Sequence, residues 1–457
     1  MKKHVRIIAL VFCVLCTVVL TAAGAETLIQ NFGPEQFKGY ENFKAQYPEV
    51  DVRHATVFYS NTTELSAAVV ARSVQNDLLA LYTEWFDCKP IMEKGYCSDL
   101  SGYPEIVAAV NRMYPRIREQ CMVGGRIYAL PWSVNIRCYW INLEAWAYAG
   151  SSVEDIPDSF AGMLDWIEKW LDRAEAEDIR DVNVALCDPF GYDRTSYPYW
   201  LTDQVLRQYI LQQQFAGAPL RFDEPELREL LIRCKTLGDR LYQQEEPIDE
   251  DGTVHHYRII DSGSSLPADQ RTMVFTRLYD DQPRVLDASI GMVAIPTTSA
   301  HQETAAALLC SISSFEPVTP TGFDSRVYLF QDAQIPLNPE YESKAAEYDE
   351  LIAAVDRELA AGKTTDKNGQ PLEERRKILE EGKANLSPYL IPPETVEAYR
   401  AMADGLYFAP PSVFWGRSED VAAFNSLKEQ YAAGSITVDE LLSRLNEMAR
   451  MIQAENQ

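Results

Sequence analysis

Apolar residues recur at helical intervals through much of the chain. Phe160, Met163, Leu164, Ile167, Trp170 and Leu171 fall on one stripe, and Asp158 or Ser159 stands where an N-cap belongs, so a long amphipathic helix is expected here. Near the C-terminus Leu441, Leu442, Leu445, Met448 and Ile452 repeat the pattern behind Thr437 and Glu440, which have capping-box spacing. Short apolar runs at 77–81, 271–276 and 289–295 read as strands, the last stopped by Pro296. Helix alternating with short strand over the whole length predicts an α/β architecture. One segment departs from this rhythm. From 338 to 385 the chain is charged and alanine-rich with a Thr-Thr-Asp-Lys-Asn-Gly break at 364–369, and it reads as an exposed helical hairpin or a partly mobile insertion.

The stretch from Gly124 to Gly150 leads from a glycine turn through Pro131 into an aromatic strand ending at Asn142. Strand alternation puts Asn135, Arg137 and Tyr139 on one face and Ile136, Cys138 and Trp140 on the other. One face suits a wet cleft; a buried strand with tryptophan as core filler is the other reading.

Charge and composition narrow the function classes. The first 25 residues read as a secretory signal: Lys2, Lys3 and Arg6 precede an apolar run from Ile7 to Leu20, and Ala23-Gly24-Ala25 has the form of a cleavage site, so the mature chain is expected to begin at Glu26. Phe12 and Leu15 precede Cys13 and Cys16 where a lipid-attachment signal wants a small residue. The formal charge of −26 includes those three cations, so the 432 residues from Glu26 carry −29. Such a balance argues against nucleic acid or an anionic membrane as partner. Seven cysteines follow Glu26, an odd number, with Cys88 and Cys97 the nearest pair for a disulfide. They form no zinc pattern with the five histidines, and neither a metal nor a cofactor is expected. No nucleophile elbow, metalloprotease helix, phosphate loop or dinucleotide fingerprint occurs. The adjacent acids Asp280-Asp281 and Glu245-Glu246 sit in polar stretches and read as solvated charge.

Several short motifs, in order, resemble the solute-binding proteins of bacterial ABC transporters, the sugar- and oligosaccharide-binding family. Phe43-Lys-Ala-Gln-Tyr-Pro-Glu-Val-Asp-Val52 is similar to the family's first helix running into a strand, and Asn76-Asp77-Leu-Leu-Ala-Leu to its next strand. Gly125-Arg-Ile-Tyr-Ala-Leu-Pro131, Trp140-Ile-Asn142, Ala149-Gly150, Pro157-Asp158, Arg271-Thr-Met-Val-Phe275, Gly291-Met-Val-Ala-Ile-Pro296 and Tyr431-Ala-Ala-Gly434 with Thr437 to Leu442 continue the series. The chain departs from the pattern at Ile141, where the family has tyrosine, and in the length of 338–385.

The resemblance implies a two-lobe, type II periplasmic-binding-protein-like α/β fold with hinge segments and a ligand cleft between the lobes. It places an N-terminal lobe at 26–134 with 290–330 and a C-terminal lobe at 135–289 with 331–457. The implied function is capture of a sugar or oligosaccharide by hinge closure and its delivery to an ABC permease, by a monomer that is no enzyme and is held in the periplasm or at the cell surface. The implied ligand contacts are Tyr82, Glu84 and Trp85 after the 77–81 strand, and Trp132 and Asn135 at the first crossing. Asp188, Phe190 and Tyr192 fall in an Asp-Pro-Phe-Gly-Tyr loop, Tyr279 follows the 271 strand, and Trp415 belongs to a late aromatic pair whose other member, Phe414, is expected in the core. Arg137, Arg194 and Arg277 would favour an anionic sugar if any of them faces ligand. A secreted carbohydrate-active hydrolase and a solute-sensing partner of a membrane receptor are the competing readings.

Overall fold

The computed structural model describes residues 26–137, 139–179, 195–243, 260–261, 271–274, 277–319, 325–367, 369–412, 414 and 420–455. The expected signal, residues 1–25, lies outside them. The strands are β1 Thr27–Gln30, β2 Asp51–His54, β3 Leu79–Tyr82, β4 Met122–Val123, β5 Arg126–Ile127, β6 Leu130–Arg137, β7 Tyr139–Asn142, β8 Ile260–Asp261, β9 Arg271–Val274, β10 Leu286–Ala294 and β11 Leu406–Tyr407. By its contacts the chain divides into two compact units, Met1–Ser133 with Ile290–Val318 and Val134–Ser289 with Thr319–Gln457. Among the described residues no helix is long and apolar enough to cross a membrane.

The first unit is built on the strand order β2-β1-β3-β10. β1 pairs in parallel with β2 from Thr27 opposite Asp51, a parallel bridge joins Gln30 to Leu78, and β3 runs antiparallel to β10 with Tyr82 opposite Gly291. Leu78, Leu79, Ala80 and Leu81 are all buried, the continuous apolar run expected of a strand covered on both faces. β3 starts later than the apolar run suggests because Asp77 turns its carboxylate to other work: it accepts from the Ile29 N–H at 2.9 Å and from the Ser299 hydroxyl at 2.6 Å. Helix Thr62–Val70 begins at Asn61, whose side chain accepts from Glu64 N–H at 2.9 Å.

Helices dominate the second unit. Every member of the predicted stripe from Phe160 to Leu171 is buried in helix Phe160–Glu177, and Ser159 caps it by accepting from Gly162 N–H at 3.1 Å. That helix, Ser196–Phe215, Pro225–Gln243, Asp420–Ala432 and Val438–Glu455 share one core, and Phe414 lies in it between Phe222 and Phe424. The capping box forms in both directions: Thr437 N–H donates to Glu440 Oε2 at 2.7 Å, and Glu440 N–H to Thr437 Oγ1 at 3.2 Å. β7 is the middle strand of a small antiparallel sheet, β8-β7-β9. The charged segment is a pair of helices, Tyr341–Ala360 and Leu372–Ala384, joined by ion pairs from Arg376 to Asp356 at 2.7 Å and from Lys383 to Asp349 at 2.5 Å.

In the aromatic stretch ending at Asn142, β6 pairs with β10 and β7 with β8 and β9, and residue 138 between them lies outside the described residues. One expectation is corrected. Cys88 and Cys97 are both buried free thiols, not a disulfide; Cys88 Sγ donates to Phe86 O at 3.5 Å, and burial pushes the Cys97 thiol up to about 12.

The tightest helix approach in the first unit is at Gly39, where helix Gly39–Gln46 meets helix Gln302–Ile312. A Cβ there would stand 1.9 Å from Ser311 O, whose own hydroxyl donates to Gly39 O at 2.6 Å. Gly39→Ala is expected to destabilise the protein by at least about 1–3 kcal/mol, the usual cost of overpacking. Denaturant unfolding checks this, and an unchanged midpoint would refute the close approach.

Candidate functional site

β1, β2 and β3 are parallel, so their carboxyl ends lie at one edge of the first unit's sheet, the edge where open α/β sheets bind ligands. The loops there are fixed by their own backbone chemistry. After β1, the Gln30 side-chain oxygen accepts from the N–H groups of Phe32 at 2.8 Å and Gly33 at 2.9 Å, and Gly33 takes φ +74°, which favours glycine. After β3, Trp85 and Phe86 N–H groups both donate to Tyr82 O at 2.9 Å, while Thr83 exchanges backbone N–H and side-chain oxygen bonds with Ile290, each 3.1 Å. Asp87 N–H donates to Thr62 Oγ1 at 2.7 Å, which ties this loop to the one after β2.

Aromatic side chains converge on these loops. Tyr82 and Trp85 have ring centroids 5.0 Å apart, and Trp132 from β6 meets Tyr82 edge-on at 6.2 Å. Phe32 at 6.4 Å and Phe37 at 6.5 Å support Trp132 from the core side. Tyr82, Glu84, Trp85 and Trp132 are all half-buried, and burial raises the Tyr82 phenol. Space for the cluster depends on Gly291 of β10: a Cβ there would lie 2.5 Å from Ser133 Oγ, 3.1 Å from Tyr82 Cε1 and 3.2 Å from Trp132 Cε2. The Trp132 indole nitrogen is sealed from solvent and has no acceptor among the described residues. A buried N–H without an acceptor costs free energy, and none of the described residues supplies this donor with one.

Sequence reasoning missed Phe58. It stands 65% exposed in the loop after β2, beside buried Tyr59, three residues before the Asn61 cap. The available signal was an aromatic pair separated from a short strand by three residues and followed by a polar Ser-Asn turn.

The remaining candidates scatter. Asn135 is exposed on β6, in the part assigned to the second unit. Tyr279, also in the second unit, packs against its core with its hydroxyl sealed and unpartnered; burial, helped by Glu226, Glu224, Glu229 and Asp281, pushes the phenol up to about 12. Asp188, Phe190, Tyr192 and Trp415 lie outside the described residues, as does Arg194. Arg277 is committed within its own unit. Its Nε and Nη2 donate to Asp158 Oδ1 at 3.0 and 2.6 Å, and Arg284 takes Asp158 Oδ2 at 2.6 Å. Burial alone would raise the Asp158 carboxyl, but the two guanidinium groups outweigh it and hold it below the ordinary aspartate range. Arg137 is exposed. Among the described residues no group of three His, Cys, Asp or Glu is placed to hold a metal ion.

No family model matches this chain, and no curated protein matches it. Solved structures do. The GacH receptor of Streptomyces glaucescens, determined unliganded and in complex with acarbose, aligns at TM-score 0.50 and 14% identity over 93% of this chain and 98% of its own. A structure described with xylan utilization by Caldanaerobius polysaccharolyticus aligns at TM-score 0.50 and 13% identity, over 92% and 99%. The chain has the mixed α/β fold of these proteins, the type II periplasmic binding fold.

The cluster's dependence on Gly291 is testable. Gly291→Ala is expected to lower stability by about 1–3 kcal/mol and to alter tryptophan emission. Gly102→Ala, where a Cβ would meet nothing within 4 Å, should change neither. Equal behaviour of the two variants in thermal unfolding and fluorescence would disprove the close packing.

Proposed function

We propose that this protein captures a sugar or oligosaccharide outside the cytoplasm and delivers it to an ABC permease, making and breaking no bond. The observation that carries this reading is the sealed, acceptor-less indole N–H of Trp132 within the Tyr82–Trp85–Trp132 cluster at the carboxyl edge of the sheet. A sugar matches such a surface twice. Its C–H faces lie against aromatic rings, and its hydroxyl oxygens accept from N–H donors while their hydrogens reach a carboxylate such as Glu84. The GacH receptor, a protein of the same fold, was determined in complex with acarbose, which supports a carbohydrate as the ligand class.

In this reading the lobes are 26–134 with 290–330 and 135–289 with 331–457, and the second contributes Asn135, Asp188, Phe190, Tyr192, Tyr279 and Trp415. A ligand touching both lobes binds the closed state better and shifts the population toward it, which lets a permease tell loaded protein from empty. Phe58 adds an aromatic platform to the first lobe. Export by the 1–25 signal puts a monomer in the periplasm or at the cell surface.

A thermal-shift screen of mono- and oligosaccharides, polyols and peptides tests the ligand class, since a ligand at about 100 times its Kd adds about 2.7 kcal/mol of stability. Stabilisation by carbohydrate is expected, with no product on chromatography after prolonged incubation; released product would establish a hydrolase instead. For the sugar so found, Trp132→Ala and Trp85→Ala are each expected to weaken binding by roughly 10- to 100-fold, or about 1.4–2.8 kcal/mol, and Phe58→Ala by less. Unchanged affinity by calorimetry would remove each residue from the site.

A further inference from the structure

The second unit carries a cavity of about 510 Å³ away from the residues discussed above, between the 149–157 turn and the outer face of helix Phe160–Glu177. Its wall is a ladder of flat groups. Trp146 and Trp166 stack at 4.3 Å, Trp166 and Trp170 lie within 4° of parallel at 6.1 Å, and the Arg173 guanidinium covers Trp170 at 4.7 Å. Trp166 and Trp170 are each flanked by two of these groups.

Two of these groups are donors. Trp170 is only 4% exposed, and its indole nitrogen has no acceptor among the described residues. Arg173, one turn further along, is fixed by an Nη2 bond to Ala149 O and by Gly150, whose φ of +75° and missing Cβ let Arg173 Nη1 come close. Its Nε is likewise sealed without a hydrogen bond, with Glu177 Oε2 an ion-pair partner at 3.9 Å. Lys169 also lines the cavity, exposed and without an ion pair among the described residues. The acidic lining residues are already taken up. Asp155 accepts from Ser152 N–H at 3.1 Å and from its hydroxyl at 2.8 Å, and Asp165 pairs with Arg233 at 2.6 Å, which also holds Glu168 at 3.2 Å. By contrast the Trp166 indole N–H is satisfied by Ser151 Oγ at 3.0 Å.

We propose that this cavity is a second binding site, for a small oxyanion such as a carboxylate or sulfate group, held by Trp170 Nε1–H, Arg173 Nε–H and the Lys169 ammonium. The logic is one of unmet donors. Two N–H groups three residues apart on a helix face the same side, and in a sealed setting each gains most from a charged acceptor. The site is independent of the sugar reading and would stand if that reading failed.

The test uses the ¹⁵N-tryptophan-labelled full chain, with the Trp170 indole signal assigned through Trp170→Phe. Titration with sodium sulfate and, separately, sodium acetate is compared with sodium chloride at matched ionic strength. Saturable movement of the Trp170 signal with sulfate or acetate, and not with chloride, is expected, and the stronger of the two identifies a tetrahedral or a planar oxyanion. Lys169→Gln, at an exposed position, should weaken that response at least about threefold without changing the melting temperature. A Trp170 signal that stays fixed, or drifts without saturation in all three salts, overturns the proposal. So does full retention of the response in Lys169→Gln together with Arg173→Lys, provided both remain folded.

Discussion

Nine consecutive buried residues form β10, and the fold depends on their backbone groups being paired. Its early part pairs with β11 from Leu286 opposite Leu406, and its later part with β3, so one strand serves both units. Within the first unit β10 also shapes the sheet edge that carries the candidate site. Because residue 291 has no side chain, Ser133, Tyr82 and Trp132 close over it, and the aromatic cluster sits where a larger residue would force them apart. Packing, strand pairing and recognition chemistry meet at that position.

Charge is handled locally. In a chain of net −26, the cations placed by the structure are largely spent on internal carboxylates: Arg277 and Arg284 on Asp158, Arg207 on Asp287, and buried Lys428 on Asp203 with the Phe424 ring 4.2 Å from its ammonium. Losing one partner of the most buried of these pairs, Lys428 with Asp203, would leave an uncompensated charge. Arg277 illustrates the consequence for function. A guanidinium that looks available in the sequence is a brace between a loop and a helix start, and it gives no reason to expect an anionic sugar.

The architecture was legible wherever a periodic pattern met a local signal. The Phe160 stripe with Ser159 in front of it, and the C-terminal stripe behind Thr437 and Glu440, gave both the helices and their starting residues, because cap and stripe are encoded within a few positions. Strand ends were less legible. Asp77 reads as part of an apolar strand until its carboxylate is seen bonding Ile29 and Ser299, partners that are distant in sequence. The same limit governs the site. Tyr82, Trp85 and Trp132 could be named from motif order, but Gly291 as the residue that makes room for them could not, since its role exists only across two strand pairings. Phe58 carried no motif and became visible only through its exposure. Cys88 and Cys97 show the converse error, in which closeness in sequence suggested a bond between two thiols that are both free.

The Trp132 indole nitrogen can give a hydrogen bond and can never accept one. That asymmetry makes the position a filter on chemistry as well as a source of affinity. A sugar with an oxygen at the matching place satisfies it, whereas the deoxy counterpart of the same sugar, nearly identical in shape, leaves a sealed N–H with nothing to bind. Sites built in this way reject the missing hydroxyl far more strongly than an apolar pocket rejects an added one. On the proposed function, discrimination between sugars of equal size would then rest on a single nitrogen to which no described residue offers an acceptor.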